Sequence, residues 1–412
     1  MKKLIFKIGQ FPHLSETFIL AQIITAIKCG YDVRLLIGEL LDFETSKQLD
    51  LITKYEIDKK IIEEDYRIPK NKIIRLIKWF ALLAFNFKSI KTIINFHKGN
   101  LKFSFTFLYQ WVFYNQFNDV AIFHVQYGTN SSTLALLKKT GFKPSIIVTF
   151  HGHDAFFPIN GFIPNNGYYD NLFKYGNLIT ANTPYLADKI IELGCPKELL
   201  SIVPVGVDTD FFYPSNNKTK LTNSLRLITV GRLSIVKGHI YSLEVVKKLK
   251  QAGYNIMLTV VGEGSERLNL ENYIRINKLS DSIVLAGAKS QQEIRELLWE
   301  SDVFLFSSVS LHQGKSTETQ GLATIEAMAC GLPAVVFDSG GVKYTLEDGI
   351  SGFVCDEYDI DCMTSKVKIL IEDTAMAKKM SIQAVTFVNK NYSQKMIDSK
   401  WKTIYNNLSN GK

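Results

Sequence analysis

Residues 318–336, ETQGLATIEAMACGLPAVV, place two carboxylates, Glu318 and Glu326, eight positions apart with a glycine between them. Apolar residues at helical spacing follow Gly321. The CGLP sequence that starts at Cys330 is typical of a helix end, because glycine caps a helix and proline prevents its continuation. The pattern predicts that Glu318 lies in a loop, that Glu326 lies on the helix and that PAVV belongs to the next strand.

Spacing alone does not make this pair a functional site, because Glu56 with Glu64 and Glu263 with Glu271 have the same separation. The first of these pairs has no strand-to-helix context, and the second begins on a turn typical of a protein surface. At the predicted helix start near Gly321, by contrast, backbone N–H groups would face an anion. The context therefore favours residues 318–326 as the candidate site.

The composition is that of a globular protein with two or three packed domains: 412 residues, 46% of them hydrophobic and 12% aromatic, with 10 prolines. Lys7 interrupts the first apolar run and no small-residue cleavage site follows, so the amino terminus predicts a buried strand rather than a signal peptide. The five cysteines form an odd number without a CxxC pair, which indicates reduced thiols in a cytoplasmic protein.

Short apolar runs alternate with longer helix-like segments, which predicts an α/β fold with parallel sheets covered by helices. The predicted strands are KLIFKIG, DVRLLIG, VAIFHVQYG, SIIVTFHG, NLITANT and LSIVPVG in the first half, and LRLITVGRL, IMLTVVGEG, SIVLAGA, DVFLFSS and PAVVFD in the second. Residues 206–224 are rich in turn-forming and polar residues and predict a linker. We expect one Rossmann-like domain at 1–205, a second at 206–390 and a C-terminal helix at 391–412 that packs back on the first.

Two cations follow the first strand of the second half, since LRLITVGRLSIVKGH carries Arg232 and Lys237 between strand and helix. A planar guanidinium and a point charge at one strand end suit a nucleoside diphosphate, whose leaving group develops negative charge. The alternative is a pair of solvated surface charges at a helix start. The turn VVGEGSERL, with Gly262, is a weaker indication, because such glycines are frequent for steric reasons alone.

Two further motifs resemble metal sites, and neither predicts one. His151, His153 and Asp154 lie together in IIVTFHGHDAF, but no further ligand is near in sequence, so a polar contact to substrate is favoured. Asp208 and Asp210 in VDTDFF imitate a DxD motif, but they fall in the predicted linker and are interpreted as structural. We predict no metal site.

The chain resembles the retaining GT-B glycosyltransferases of group 1, family four, in an ordered series of motifs over nearly its whole length: GVDTDFFYP, VGRLSIVKGH, VVGEGSERL, LAGA, DVFLFSS, ETQGLATIEAMACGLPAVV, GG and EDGISGFV. The mark of that family is two glutamates separated by seven residues. The start, FPHLSETFI, is similar to the subgroup that builds exopolysaccharide, capsule and O-antigen repeat units. The resemblance implies two domains whose sheets face each other across a cleft, the first binding the acceptor and the second the nucleotide-sugar donor.

The resemblance also implies roles for single residues. Arg232 and Lys237 would bind the donor diphosphate, Glu326 the ribose hydroxyls and Glu318 the hydroxyls of the transferred sugar. The remaining donor-site residues implied are His151, near the reacting sugar, and Gly262, Gly321 and Leu322, around the phosphates. Of these residues, His151, Glu318, Arg232 and Lys237 would take part in catalysis. Family members usually retain the anomeric configuration, need no metal or other cofactor, and use the leaving phosphate to assist the incoming hydroxyl.

The sequence departs from the family in two places. Many relatives have glycine where this chain has Thr319, which bears on the backbone path of the loop. The segment GQFPHLSETF has one glycine where the family commonly has a pair. Ser15 and Glu16 in this segment would line the acceptor side, and the alternative is that Ser15 is only a helix N-cap.

Residues 67–118 carry nine Lys or Arg and no Asp or Glu, interleaved with aromatic and aliphatic residues. No uncharged apolar run there reaches the roughly 20 residues that a transmembrane helix needs. The segment predicts helices that lie on an anionic membrane surface, and the alternative is ordinary helices with solvated lysines.

The sequence therefore predicts a hexosyltransferase that transfers sugar to a lipid-linked or oligosaccharide acceptor in the cytoplasm, at the inner face of the cell membrane. A soluble acceptor, or a non-catalytic protein that binds a nucleotide sugar, are the alternatives. A Rossmann oxidoreductase is disfavoured, because no GxGxxG follows the first strand with an acidic residue about 20 positions further on. We expect no nucleic-acid partner.

Overall fold

The structure is a computed structural model. It describes residues 1–12, 17–46, 48–87, 94, 104–215, 225–311 and 316–410. Ser15 and Glu16 lie outside the described residues, and the prediction for them stays a prediction. The chain divides into two compact units: unit 1 comprises Met1–Ala181, Ala187–Ile202 and Asp398–Lys412, and unit 2 comprises Asn182–Leu186 and Val203–Ile397.

Unit 1 contains a seven-stranded parallel sheet with the strand order β3-β2-β1-β4-β5-β6-β7. Its strands are β1 Lys3–Phe11, β2 Asp32–Leu40, β3 Ile61–Glu63, β4 Ile122–Gln126, β5 Ser145–Thr149, β6 Leu178–Ala181 and β7 Leu200–Ile202. The strands are rich in isoleucine, leucine, valine and phenylalanine because a parallel sheet is buried on both faces. The first run of the sequence is thus a buried strand, as predicted.

Unit 2 contains a six-stranded parallel sheet with the order β10-β9-β8-β11-β12-β13. Its strands are β8 Leu225–Val230, β9 Ile256–Val261, β10 Ile283–Gly287, β11 Val303–Phe306, β12 Ala334–Phe337 and β13 Gly352–Cys355. An apolar cluster covers each face of this sheet, as in a doubly wound α/β domain. Every predicted strand is present, whereas β3 and β13 were not predicted.

Most helices of the described residues lie between consecutive strands, and the last three follow β13 in succession. They are α1 Thr17–Lys28, α2 Leu49–Lys54, α3 Lys72–Phe85, α4 Phe105–Asn115, α5 Ser132–Lys139, α6 Asp170–Tyr175, α7 Pro184–Glu192, α8 His239–Gln251, α9 Arg267–Ile276, α10 Gln291–Glu300, α11 Leu322–Ala329, α12 Ile360–Glu372, α13 Thr374–Asn391 and α14 Gln394–Ser409. None of the described helices is both long and apolar enough to cross a membrane.

The first part of the predicted linker packs within unit 2. The amide of Val207 donates to the carbonyl of Tyr392 (2.8 Å), and the side chains of Val207 and Phe212 are buried. Asp208 caps the turn that follows, because its carboxylate accepts from the amides of Asp210 (2.9 Å) and Phe211 (3.2 Å). The DxD sequence therefore has the structural role that was predicted for it.

Helix α14 begins in unit 2, and from Asp398 onwards its residues belong to unit 1. Trp401 and Tyr405 are fully buried there, and the Tyr405 hydroxyl lies 2.9 Å from Nδ1 of His124 on β4. The part of α14 that carries Trp401 and Tyr405 thus belongs to the core of unit 1.

Candidate active site

The strand order of unit 2 reverses between β8 and β11, which are neighbours in the sheet although β9 and β10 lie between them in sequence. In open α/β sheets, ligands bind at such a switch point, outside the carboxyl ends of the strands. Arg232 and Lys237 follow β8, and Glu318 follows β11. The fold therefore brings the predicted cations and one of the two predicted carboxylates to the same edge of the sheet.

The turn after β8 is held by the turn after β9. The amide of Gly231 donates to the carbonyl of Val261 (2.9 Å), and the amide of Leu233 donates to the carbonyl of Glu263 (2.9 Å). A Cβ at Gly262 would collide with the carbonyl oxygen of Gly231. Gly262 thus allows the close approach that fixes the turn of Arg232, whose side chain is exposed.

Lys237 and Glu318 form an ion pair, although they are distant in sequence. The ammonium group of Lys237 also lies 5.2 Å from the ring centroid of Phe306, the last residue of β11, in a cation–π contact. Both charged side chains are mostly buried, with 25% of the lysine and 18% of the glutamate side chain exposed. The structure thus adds Phe306 to the site, a residue that no sequence motif had indicated.

The carboxyl group of Glu318 is held in its ionised form. Burial acts to raise its pKa, but the charge and hydrogen bond of Lys237, together with the amides of Gly321 and Gln320, outweigh burial and place the pKa below its usual value. The amide of Gly321, which has a left-handed conformation (φ +85°) before α11, donates to the Glu318 carboxylate (3.2 Å). The amide of Gly321 thus faces the chain's own Glu318 carboxylate in this structure, and Leu322 is the first helical residue behind it.

Glu326 lies on α11, where the sequence predicted it, and its side chain is half-buried. Burial raises the pKa of its carboxyl group to about 7. No described residue forms a hydrogen bond or an ion pair with this carboxyl group. It is therefore available to accept hydrogen bonds from a ligand. The helix ends as predicted, with Gly331 in the left-handed conformation (φ +82°).

The loop that carries Glu318 is fixed by hydrogen bonds from distant residues of unit 2. Thr183 Oγ1 donates to the carbonyl of Thr319 (2.7 Å), and Nδ2 of Asn182 donates to the hydroxyl of Thr319 (3.1 Å). The amide of Gly341 donates to the carbonyl of Glu318 (2.8 Å), and a Cβ at Gly341 would collide with the carbonyl of Thr319. Thr319 stands where many relatives have glycine, and its hydroxyl has a hydrogen-bond partner in Asn182.

The other two glutamate pairs with the same spacing have different roles. Glu263 and Glu271 both pair with Arg267 on the surface of α9. Glu64 forms a mostly buried ion pair with Lys7 of β1 (2.5 Å), and Glu56 pairs with Lys59 on the surface. Each of these four glutamates is thus engaged in an ion pair with a lysine or arginine outside the candidate site, and the choice of Glu318 and Glu326 stays a prediction.

His151 follows β5 in unit 1, whereas the site residues described so far belong to unit 2. Its Nε2 lies 2.8 Å from Oε1 of Gln126, and its ring lies 4.7 Å from the ring of Phe18. Because that oxygen only accepts, Nε2 carries the proton. Burial, with a smaller contribution from the charge of His153, lowers the pKa of His151 to about 3, so the ring is neutral at physiological pH.

Asp154, the last residue of the HGHD sequence, accepts hydrogen bonds from backbone amides. Its carboxylate accepts from the amides of Gly128 (2.7 Å), Gly152 (2.9 Å) and His151 (3.1 Å). The side chain therefore fixes the turn that positions His151.

Two family models match the chain and together cover most of it. The model of "Glycosyl transferases group 1" matches residues 215–386, and the model of "Glycosyltransferase Family 4" matches residues 78–211. The chain belongs to the group 1, family 4 glycosyltransferases and is an enzyme of that class. The family that the sequence motifs indicated is thus confirmed.

The chain is similar to the amylovoran biosynthesis glycosyltransferase AmsK of Erwinia amylovora. The two are 29% identical over 95% of this chain and 96% of the relative. It is 26% identical to the putative colanic acid biosynthesis glycosyltransferase WcaL of Escherichia coli, over 95% of this chain and 97% of the relative. The similarity thus extends over nearly the whole chain rather than over the donor motifs alone.

The fold is also shared with solved structures. The crystal structure of Anabaena HepE in complex with UDP superposes with a TM-score of 0.72 at 16% identity, covering 98% of this chain and 99% of that one. Each unit has the parallel, helix-covered sheet expected of the GT-B fold.

Proposed function

We propose that the protein transfers a hexose from a nucleoside diphosphate sugar to a growing polysaccharide or lipid-linked glycan, with retention of the anomeric configuration and without a metal ion. The observation that carries the proposal is the meeting of Lys237 and Glu318 above Phe306 at the switch point of unit 2. The UDP bound to HepE supports a nucleoside diphosphate as the leaving group, and the relatives AmsK and WcaL support a polysaccharide product.

In the proposed reaction, the bond between the anomeric carbon and the diphosphate oxygen breaks, and the acceptor oxygen bonds to the same carbon. The leaving phosphate takes the proton of the acceptor hydroxyl. Lys237 and Arg232 stabilise the negative charge that develops on the diphosphate. Glu318 accepts hydrogen bonds from the transferred sugar, Glu326 accepts them from the ribose, and the first-turn amides at Gly321 and Leu322 complete the phosphate site. For His151 we propose a neutral hydrogen-bonding contact with the reacting sugar.

We place the acceptor at the inner face of the cell membrane, because the basic, acid-free segment 67–118 complements an anionic surface. Segment 67–118 belongs to unit 1, whereas the proposed donor residues apart from His151 belong to unit 2.

The proposal is tested by nucleotide-sugar turnover with Lys237→Ala. Loss of one charge-assisted hydrogen bond, roughly 1.5–3 kcal/mol, is expected to lower kcat/KM about 10- to 150-fold. The matched control is Lys250→Ala, because Lys250 is also ion-paired, with Asp281, and is similarly exposed, but lies at the amino ends of the strands. Activity is expected to survive a chelator. Full activity of Lys237→Ala would place the diphosphate elsewhere, and binding without transfer would indicate a non-catalytic protein.

A further inference from the structure

Helix α3, Lys72–Phe85, presents its apolar side to solvent. Ile73, Ile77 and Phe85 expose 71%, 65% and 86% of their surface. The same outward side carries three more exposed apolar side chains: Ile74, Leu76 and Phe80. These six residues form what we call the α3 face.

Two of the three basic residues of α3, Arg75 and Lys78, point the other way. Nε of Arg75 donates to the carbonyl of Pro69 (2.9 Å), and Nζ of Lys78 donates to the carbonyl of Arg67 (2.6 Å). The hydroxyl of Tyr109 on α4 in turn donates to the carbonyl of Arg75 (2.6 Å). Half-buried charges on the inner side and apolar groups on the outer side are the reverse of an ordinary surface helix.

The orientation of α3 is fixed by packing as well as by these hydrogen bonds. Trp79, on the inner side, is buried in an apolar cluster with Leu108 and Tyr109 of α4. Turning the helix to hide its apolar side would break this cluster and leave Arg75 and Lys78 without their carbonyl partners. The α3 face is therefore a stable feature of unit 1, and a contiguous apolar surface of this kind marks a docking site.

The charge of residues 67–118 indicates which partner would cover the α3 face. Residues 67–118 contain no acidic residue, and Lys70 and Lys72 are exposed at the start of α3. A second copy docked through the same face would bring two such basic segments together and incur their repulsion. An anionic lipid surface offers hydrocarbon to the apolar side chains and negative headgroups to the lysines.

We propose that α3 docks the protein on an anionic bilayer by inserting the α3 face among the lipid chains, with Lys70 and Lys72 at the headgroups. The inference deepens the proposed function, since it rests on an acceptor presented at a membrane. It differs from adsorption by charge alone, because Arg75 and Lys78 are engaged with backbone carbonyls and the contact is largely apolar. Binding is therefore expected to weaken but to persist at high salt.

The test is sedimentation of the full chain with vesicles of phosphatidylcholine and phosphatidylglycerol in equal parts, at low and high salt. The double variant Ile73→Glu/Ile77→Glu is expected to reduce partitioning at least about tenfold, since two charges would enter the hydrocarbon. The control is Ile276→Glu on α9 of unit 2, because Ile276 is exposed by the same 71% as Ile73. This control is expected to partition like the wild type.

Equal partitioning of the double variant and the wild type would overturn the proposal, and so would complete loss of wild-type binding at high salt. If the double variant melts at a lower temperature but still binds vesicles, the α3 face packs against another part of this chain. If it changes from dimer to monomer but still binds vesicles, the α3 face binds a second copy. Either result would overturn the proposal. Affinity for free UDP is measured in parallel and is expected to be the same in both variants. If the wild type binds no nucleoside diphosphate, the proposed function fails, while the vesicle result still decides the docking.

Discussion

Replacing Glu326 by glutamine keeps the size of the side chain and removes its titration. The carboxyl group is half-buried on α11, and burial raises its pKa from 4.5 to about 7. A carboxyl whose pKa is raised on folding binds its proton more tightly in the folded chain. Its contribution to stability is complete below the unfolded pKa and is lost as the pH rises through the folded pKa.

The size of the effect follows from the shift. One pKa unit corresponds to about 1.36 kcal/mol, so the wild type is expected to lose about 3 kcal/mol of unfolding free energy through this group between about pH 4 and pH 8. Glu326→Gln has no such loss. The stability difference between variant and wild type is therefore expected to grow in favour of glutamine as the pH rises.

Urea unfolding followed by circular dichroism, at about pH 5 and about pH 8, measures this difference. The control is Glu271→Gln, because Glu271 is 45% exposed and pairs with Arg267 on the surface of the same unit. This control shows what the loss of a surface carboxylate does to the same measurement. Parallel pH curves for Glu326→Gln and the wild type would refute the argument, since they would show a carboxyl that titrates alike in both states.

The same carboxyl connects stability with binding. Ribose hydroxyls donate to a carboxylate, so binding of a nucleoside diphosphate near pH 7 is expected to release about half a proton more from the wild type than from Glu326→Gln. Calorimetric titration in buffers of different ionisation enthalpy measures the proton. Release of the same amount by both proteins would exclude Glu326 as the group that meets the ribose.

Two further predictions concern the loop and the histidine. Thr319→Val removes the acceptor of the hydrogen bond from Asn182 and is expected to lower kcat/KM roughly 3- to 10-fold at unchanged UDP affinity. The control Thr319→Ser keeps the hydroxyl and is expected to retain activity. Equal activity of the two variants would show that the hydroxyl does not position the loop. The His151 ring is neutral, so its NMR signals are expected not to titrate between about pH 5 and pH 8, and a midpoint within that range would contradict the assigned environment.

Local sequence was sufficient for most of the fold. Strands such as Leu225–Val230 are apolar runs bounded by turn residues, and both faces of a parallel sheet require such runs. The two strands that were missed lack this signal. Ile61–Glu63 has only three residues, and Gly352–Cys355 begins with a glycine and lies beside a turn.

The candidate site was predictable only where local rules act. Glycines around α11 correctly placed Glu318 in a loop and Glu326 on the helix. The partners of these residues were not predictable, because they come from far along the chain. Asn182 lies 137 positions from Thr319, and Lys237 lies 81 positions from Glu318. Periodicity in a single segment carries no information about such contacts.

Composition likewise predicted a basic segment at residues 67–118 but not which side of its helix is exposed. Arg75 and Lys78 are separated by three positions, and so share a face with Trp79 and Leu82. Their long side chains reach the carbonyls of the preceding loop, which hides the charges and turns the isoleucines outward. The tertiary hydrogen bonds therefore decide what kind of surface this segment presents.

The Lys237–Glu318 ion pair joins the residue proposed to bind the diphosphate, Lys237, to the residue proposed to bind the transferred sugar, Glu318. Each side chain satisfies the other's charge in a mostly buried place, where an unpaired charge is costly. On the proposed function, a donor diphosphate takes over Lys237, and the Glu318 carboxylate then loses its strongest electrostatic partner. That carboxylate is left facing the sugar as positive charge grows at the anomeric carbon. Its stabilising effect would thus be greatest in the transition state, when both the diphosphate and the sugar are in place.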